Sequence, residues 1–280
     1  MPDTMLRLRE AIAQSKARSW ENRGRKPYTR GYHPARWRAI QAGLKANDGR
    51  FGWHDAGLDE RVVEYSWAFD RVSGLRRPGT VVLDAGSVLN HKPVLDGWRA
   101  RGFPPLSIVT LAYEGSAQVS TDVRYEFADL RRLPYRDEWF SIVLCLSTLE
   151  HVGLDNKGYG AQGGRDVNPN AEAIRAMKEL HRVTAPGGTL LLSVPFGTRS
   201  DRGWFRVLNQ DDLLSVTTVD GWHSAPPRVF RATRDGWRET PSTDAVDAGY
   251  NEPPSSTGQR TAPEWVAAAE AVALVELQRV

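Results

Sequence analysis

The stretch Thr80-Val81-Val82-Leu83-Asp84-Ala85-Gly86-Ser87 limits the fold more than any other part of the chain. Four β-branched or aliphatic residues in succession read as a short strand buried on both faces, as in a parallel sheet. Asp84 and Gly86 then stand at its carboxyl end, where open α/β sheets bind ligands. Gly86 allows a tight turn and a close backbone approach. The same residues also suit an ordinary strand-to-loop turn, so the choice falls to what surrounds them.

Before this strand the chain reads as helical. Residues 4–20 form one expected helix, with Leu6, Leu8, Ile12 and Trp20 loosely periodic. A second spans 35–46, opened by His33-Pro34, with Trp37, Ile40 and Leu44 on one face and Asn47-Asp48-Gly49 closing it. A third runs from Leu58 to about Ser73, with Asp59 as its N-cap. Beside its apolar face stand Glu64 and Tyr65, which either look into a cleft or are a solvated acid and a core-edge tyrosine. Residues 1–75 are therefore expected to form a helical cap and 76–280 the main domain.

From Asp84 onward strands and helices alternate, which argues for a parallel sheet covered by helices. The expected strands are 106–111, 125–127, 140–146, 189–194, 228–232 and 271–277. The expected helices are 92–101, 171–183 and 211–216. Thr240 to Ala262 is rich in Pro, Ser, Thr, Gly and Asp and reads as an exposed, mobile loop. Neither repeats nor low-complexity segments occur.

A chain of 280 residues can bury about three quarters of its unfolded surface without staples. Its single cysteine, Cys145, excludes an internal disulfide and a zinc framework. No run approaches the roughly 20 apolar residues of a membrane span, and a signal region is lacking. A cytoplasmic location is expected. The net charge of +3 is uneven: residues 1–50 carry 12 Lys/Arg against 4 Asp/Glu, so the remainder is acidic. A basic arm suits nucleic acid, an anionic substrate, or pairing with acids on the main domain. It lacks the interleaved aromatics of a strand-binding groove.

Several motifs resemble class I S-adenosylmethionine (SAM) dependent methyltransferases. Asp84-Ala85-Gly86-Ser87 is similar to the opening of that family's first motif, with Val88 and Asn90 where its later glycines usually stand. Phe127-Ala128-Asp129-Leu130 with the following Leu133-Pro134, Leu149-Glu150-His151-Val152, and Glu179-Leu180-His181-Arg182-Val183 before Pro186-Gly187-Gly188 resemble the family's later motifs. The strong resemblance covers residues 79–197. The wording is similar to a bacterial, type 11-like subset associated with polysaccharide or natural-product pathways. The resemblance implies a Rossmann-like seven-stranded α/β sheet in the order 3-2-1-4-5-7-6, with SAM as cofactor.

Carried onto this chain, the resemblance places the cofactor against Asp84, Gly86, Ser87, Glu114, Asp129, Leu130 and Ser147. Glu114 would accept the ribose hydroxyls and Asp129 the adenine amino group. Methyl transfer needs mainly alignment of nucleophile, methyl carbon and leaving sulfur. A hydroxyl acceptor gains from a base, and His151 suits that role by its titration range; it equally suits a structural bond to a backbone carbonyl. Glu150 would orient His151 or touch the acceptor. Asp155, Asn156, Tyr159 and Trp204 are secondary candidates. Some relatives hold a divalent metal through an extra glutamate one turn before the Glu-His pair; Ser147 stands there, so no metal is expected.

The sequence thus points to an enzyme that methylates a small molecule or glycan, at oxygen, for biosynthesis. Two alternatives are a nucleic-acid methyltransferase using the basic arm and a non-catalytic module that has lost SAM. No Asn-Pro-Pro-Tyr follows the fourth strand, and Cys145 lies within it, so methylation of bases by those motifs is disfavoured.

Overall fold

The computed structural model describes residues 2–46, 55–113, 120–160, 164–254, 256 and 258–280. Its helices are α1 (Pro2–Asn22), α2 (Tyr32–Lys45), α3 (Arg61–Leu75), α4 (Lys92–Ala100), α5 (Pro169–Val183) and α6 (Gln210–Thr217). The strands of its main sheet are β1 (Val82–Ala85), β2 (Leu106–Thr110), β3 (Val123–Phe127), β4 (Phe140–Leu146) and β5 (Thr184–Pro195), with four more further on. A two-stranded ribbon, β6 (Ser200–Asp201) with β7 (Arg206–Val207), precedes those four: β8 (Trp222–Ser224), β9 (Arg228–Thr233), β10 (Gly236–Thr240) and β11 (Ala271–Arg279).

The main sheet runs β10-β9-β11-β5-β4-β1-β2-β3, with β8 also pairing β11. Strands β3, β2, β1, β4 and β5 are parallel. The last strand, β11, returns antiparallel between β5 and β9. The order 3-2-1-4-5 is therefore present, and β11 and β9 take the seventh and sixth places. Among the described residues the sheet has nine strands rather than seven. The additions are β8, too short to show a period, and β10, the return of a hairpin through Arg234-Asp235.

Alternate residues of the central strands enter two separate cores. Val82, Leu144, Leu146 and Leu191 pack with α2, α3 and α4 on one face. Leu83, Val143, Cys145, Leu190 and Leu192 pack with α5 and α6 on the other. This period-two division explains why β4 is apolar almost throughout: both of its faces are buried. Helix α3 lies directly on the first face, with Val62, Val63, Phe69 and Val72 buried. Phe69 meets Trp98 and Phe103 at ring-centroid distances of 5.6 and 5.4 Å.

Three expectations change. Leu8 and Ile12 of α1 are exposed; Trp20 is buried as expected, and Ala17 joins it in anchoring that helix. Asp59 does not cap α3; the cap position is Glu60, without a side-chain bond. Asp59 accepts instead from Arg36 Nε at 2.5 Å and Tyr32 OH at 3.1 Å, tying α2 to the start of α3. The stretch expected as an exposed loop is partly buried: Ala245, Ala248, Asn251 and Glu252 are inside. Asn251 Nδ2 donates to Pro263 O at 2.8 Å and Val266 O at 3.0 Å, satisfying backbone groups that burial would otherwise orphan. The expected closure of α2 at Asn47-Asp48-Gly49 lies outside the described residues.

Because Phe69 belongs to the core shared with the sheet, Phe69→Ala should lower stability by about 3–5 kcal/mol. Urea unfolding followed by tryptophan fluorescence reads this as a lower midpoint of one cooperative transition. A loss confined to an early transition, with the remaining signal unmoved, would show α3 to be separable from the sheet.

Candidate active site

The carboxyl ends of β1, β2, β3 and β4 open into a cleft of about 650 Å³. Its size lies within the range of small-molecule and cofactor sites. Gly86 begins the floor. Its φ is +131°, and an added Cβ would lie 2.1 Å from Thr148 Oγ1. The loop after β1 and the loop after β4 therefore touch only because this residue is glycine. Its N–H donates to Val109 O at 2.9 Å, joining the loop to β2. Asp84 is fully buried behind the floor, and its Oδ2 accepts from Leu89 N at 2.8 Å. That bond closes the loop that carries Ser87 and Val88 along the cleft wall.

A second junction holds the floor from the helical side. Glu64 is completely buried. Its Oε1 accepts from Ser147 Oγ at 2.5 Å and Ser193 Oγ at 2.6 Å. Its Oε2 accepts from Arg61 Nη1. Ser147 ends β4 at φ +36°, a conformation L-residues rarely adopt. It is held there by two bonds besides Glu64, to Ser193 O and Ser193 Oγ. Tyr65 OH donates to Val88 O at 2.7 Å, so α3 also fixes the loop after β1.

At the β3 end, Asp129 and Leu130 line the cleft. Both carboxylate oxygens of Asp129 accept from Arg131, with Nε at 2.9 Å and Nη2 at 2.6 Å. Burial disfavours the charge on Asp129, but the hydrogen bonds from Arg131 outweigh it and hold the carboxyl below its ordinary range. Arg131 Nη1 continues to Asp166 at 2.6 Å and Glu172 at 2.7 Å. One guanidinium thus ties the end of β3 to α5 and to the loop before it.

At the β4 end, His151 follows in a single 3-10 turn, Leu149–His151. Its Nδ1 lies 2.9 Å from Trp204 O. A carbonyl only accepts, so Nδ1 carries the proton and Nε2 keeps a lone pair. Tyr159 and Trp204 surround the ring at 5.5 and 5.2 Å. Burial pushes the imidazole down to about 4. Glu150, one residue earlier, is buried behind the wall, and burial pushes its carboxyl well above the usual range. Its Oε2 meets no hydrogen-bond partner among the described residues.

Of the residues singled out in the sequence, Gly86, Ser87, Asp129, Leu130, Ser147 and His151 share the cleft wall, with Asn156 and Tyr159. Asp84 and Glu150 stand behind it. Glu114 lies outside the described residues. Val88 lines the wall, whereas Asn90 is buried beneath it. Sequence reading missed Arg61 and Arg131. Their signals were slight: Arg131 directly follows Asp129-Leu130, and Arg61 precedes Glu64 by one helical turn.

Residues 107–192, which carry β2 to β5, match the family model described as a methyltransferase domain. The matched segment is a methyltransferase domain, and the sheet that carries it is Rossmann-like. No curated protein matches the sequence. Among solved structures it is similar to the [4+2]-cyclase SpnF, at 16% identity over 86% of this chain and 91% of that one, TM-score 0.48. It is also similar to 1,6-didemethyltoxoflavin-N1-methyltransferase from Burkholderia thailandensis, bound to 1,6-didemethyltoxoflavin and S-adenosylhomocysteine. There the identity is 13% over 100% of this chain and 91% of that one, TM-score 0.45. A SAM-dependent methyltransferase from Methanosarcina mazei is 13% identical over 75% and 97%, TM-score 0.45.

The buried imidazole gives a pH prediction. The folded value of about 4 lies below the ordinary 6.5, so the unfolded chain binds the proton first. The contribution of His151 to stability is complete above about pH 6.5 and is lost as pH falls toward 4. Titration by ¹H–¹⁵N NMR should show a neutral ring with its proton on Nδ1 from pH 5.5 to 8. A midpoint near 6.5 would contradict the buried, carbonyl-bonded ring.

Proposed function

We propose that the chain transfers the methyl group of SAM to a hydroxyl of a small molecule or glycan, in a polysaccharide or natural-product pathway, with His151 as general base. The observation that carries this reading is the Nδ1–Trp204 O bond, which leaves the Nε2 lone pair of a cleft-lining imidazole available to a hydroxyl proton. The cofactor supplies a methyl already activated on a sulfonium, so the protein has chiefly to orient and to take up one proton.

The roles proposed for the chain's own residues come from the resemblance, and the cleft lining supports those of the described residues. Gly86 and Ser87 would border the cofactor from the cleft wall, and Asp84 holds their loop from behind. Asp129, kept ionised by Arg131, accepts from the adenine amino group, and the backbone N–H after it, of Leu130, reaches the ring. By the resemblance alone, Glu114 would take the ribose hydroxyls. Ser147, fixed by Glu64 and Ser193, borders the methyl-donor end. With SAM bound, His151 would take up the acceptor's hydroxyl proton while that oxygen gains the methyl group, and the desolvated imidazole would then pass the proton on to solvent. Glu150 sits behind His151 and biases its surroundings. Residues 1–75 act as a helical cap that shapes the acceptor end.

The fit to the cofactor rests on the cleft's volume and on the lining that Gly86, Ser87, Asp129 and Leu130 share. Calorimetric titration with S-adenosylhomocysteine should show binding that Asp129→Ala weakens at least about 10-fold, as expected for a charge-assisted hydrogen bond. His151→Gln should leave that affinity within about 2-fold and cut kcat on a hydroxyl acceptor by about 10²–10⁴. Folded protein that binds neither SAM nor S-adenosylhomocysteine would overturn the enzyme reading. Unchanged kcat in His151→Gln would overturn the base.

A further inference from the structure

Arg61 lines the cleft from α3, outside the segment that matches the methyltransferase domain model. One of its nitrogens, Nη1, is held by Glu64. Among the described residues it makes no other hydrogen bond or ion pair. Its side chain is 21% exposed, while that of Glu64 is 0% exposed. The pair is therefore lopsided: the carboxylate is sealed inside, and the guanidinium faces the open cleft.

The charge balance of this pair is also lopsided. Ser147 and Ser193 both donate to Glu64 Oε1, so hydroxyl dipoles already stabilise part of its charge. Only Oε2 faces Arg61. A guanidinium has five N–H donors in a rigid fork. With Nη1 pinned and the side chain immobilised, Nε and Nη2 form a preorganised edge of the geometry that binds a carboxylate by two parallel bonds. The edge costs little ordering entropy on binding, because Glu64 has already fixed the rotamer.

The position of this edge indicates which ligand it meets. Through Glu64, Arg61 is tied to the carboxyl ends of β4 and β5, away from Asp129 and Leu130 at the end of β3. His151, Asn156 and Tyr159 line the same cleft from the loop after β4. The field of Arg61 also reaches both Glu150 and His151. Beside an uncharged base, the Nε and Nη2 edge of Arg61 that Glu64 leaves unengaged suits an acceptor that is itself anionic.

We propose that Arg61 is a carboxylate-recognition residue and that the acceptor is a hydroxy acid, its carboxylate held by Arg61 and its hydroxyl presented to His151. This rests on the methyl-transfer reading of the cleft. The carboxylate of the cofactor's methionine part has the same chemistry, and the test separates the two sources.

The test uses the full-length protein and three variants: Arg61→Lys, Arg61→Met, and the double variant Arg61→Met/Glu64→Gln. The double variant removes both charges, so no buried carboxylate is left without its partner. In the first arm, protein saturated with S-adenosylhomocysteine is titrated with salicylate, lactate and glucuronate, each beside its carboxamide. The expected result is at least one acid bound about 10-fold tighter than its amide by wild type. The double variant should lose that preference, and Arg61→Lys should retain only part of it, because lysine lacks the fork. In the second arm, S-adenosylhomocysteine is compared with its decarboxylated analogue, S-adenosyl-3-thiopropylamine, and the ratio of affinities should be the same in wild type and double variant. A ratio that collapses in the double variant assigns Arg61 to the cofactor and overturns the acceptor proposal. So does the absence of any acid-over-amide preference, or one that survives in the double variant. Failure of S-adenosylhomocysteine itself to bind would instead overturn the methyl-transfer reading beneath it.

Discussion

Glu64 is the group on which the cleft most depends. It is a carboxylate with no exposed surface, and a buried charge is tolerated only when its oxygens are met by donors. Three donors meet it here: Ser147 at the end of β4, Ser193 on β5 and Arg61 on its own helix. The requirement works in both directions. Satisfying the acid fixes α3 against the sheet, and it also fixes Ser147 in its positive-φ conformation at the cleft floor. A helix that precedes the sheet in sequence is in this way a structural part of the site.

The two ends of the cleft have different electrostatic characters. At β3, Arg131 is surrounded by Asp129, Asp166 and Glu172, and that end is ionised and hydrogen-bonded. At β4, His151 is packed among Tyr159, Trp204 and Phe205, where desolvation keeps the ring neutral. A polar, charge-holding end suits recognition of hydrogen-bonding groups. A desolvated end keeps the imidazole neutral with its Nε2 lone pair in place, while it disfavours a lasting imidazolium. Arg61 adds one cation to the second end, held in place by the acid behind it.

The parallel strands were legible because each is a short apolar run with both faces buried, and their ends carry the motif residues Asp84, Asp129 and Ser147. The order 3-2-1-4-5 came with the resemblance and is present in the sheet. Less legible were elements whose pattern is short or whose partners are distant. Three-residue β8 is too brief to show alternation, and β10 exists only as the return of a hairpin on β9. Asp59 has the chemistry of an N-cap, but Arg36 and Tyr32, more than twenty residues away in sequence, compete for it more strongly.

What the sequence determined by itself was local: apolar runs, turn glycines, and acids at strand ends. These depend on period and steric freedom, which a residue and its neighbours carry with them. Tertiary structure alone decided the state of the charged groups. Glu64 could equally have been solvated, Asp129 and Arg131 could have faced apart, and His151 could have titrated near neutrality. Desolvation and hydrogen bonding depend on atoms brought together from distant parts of the chain. Ser193 lies 129 residues from Glu64, and Trp204 lies 53 from His151. Only the closed fold places the donors that make the buried acid stable and the carbonyl that sets the imidazole's proton.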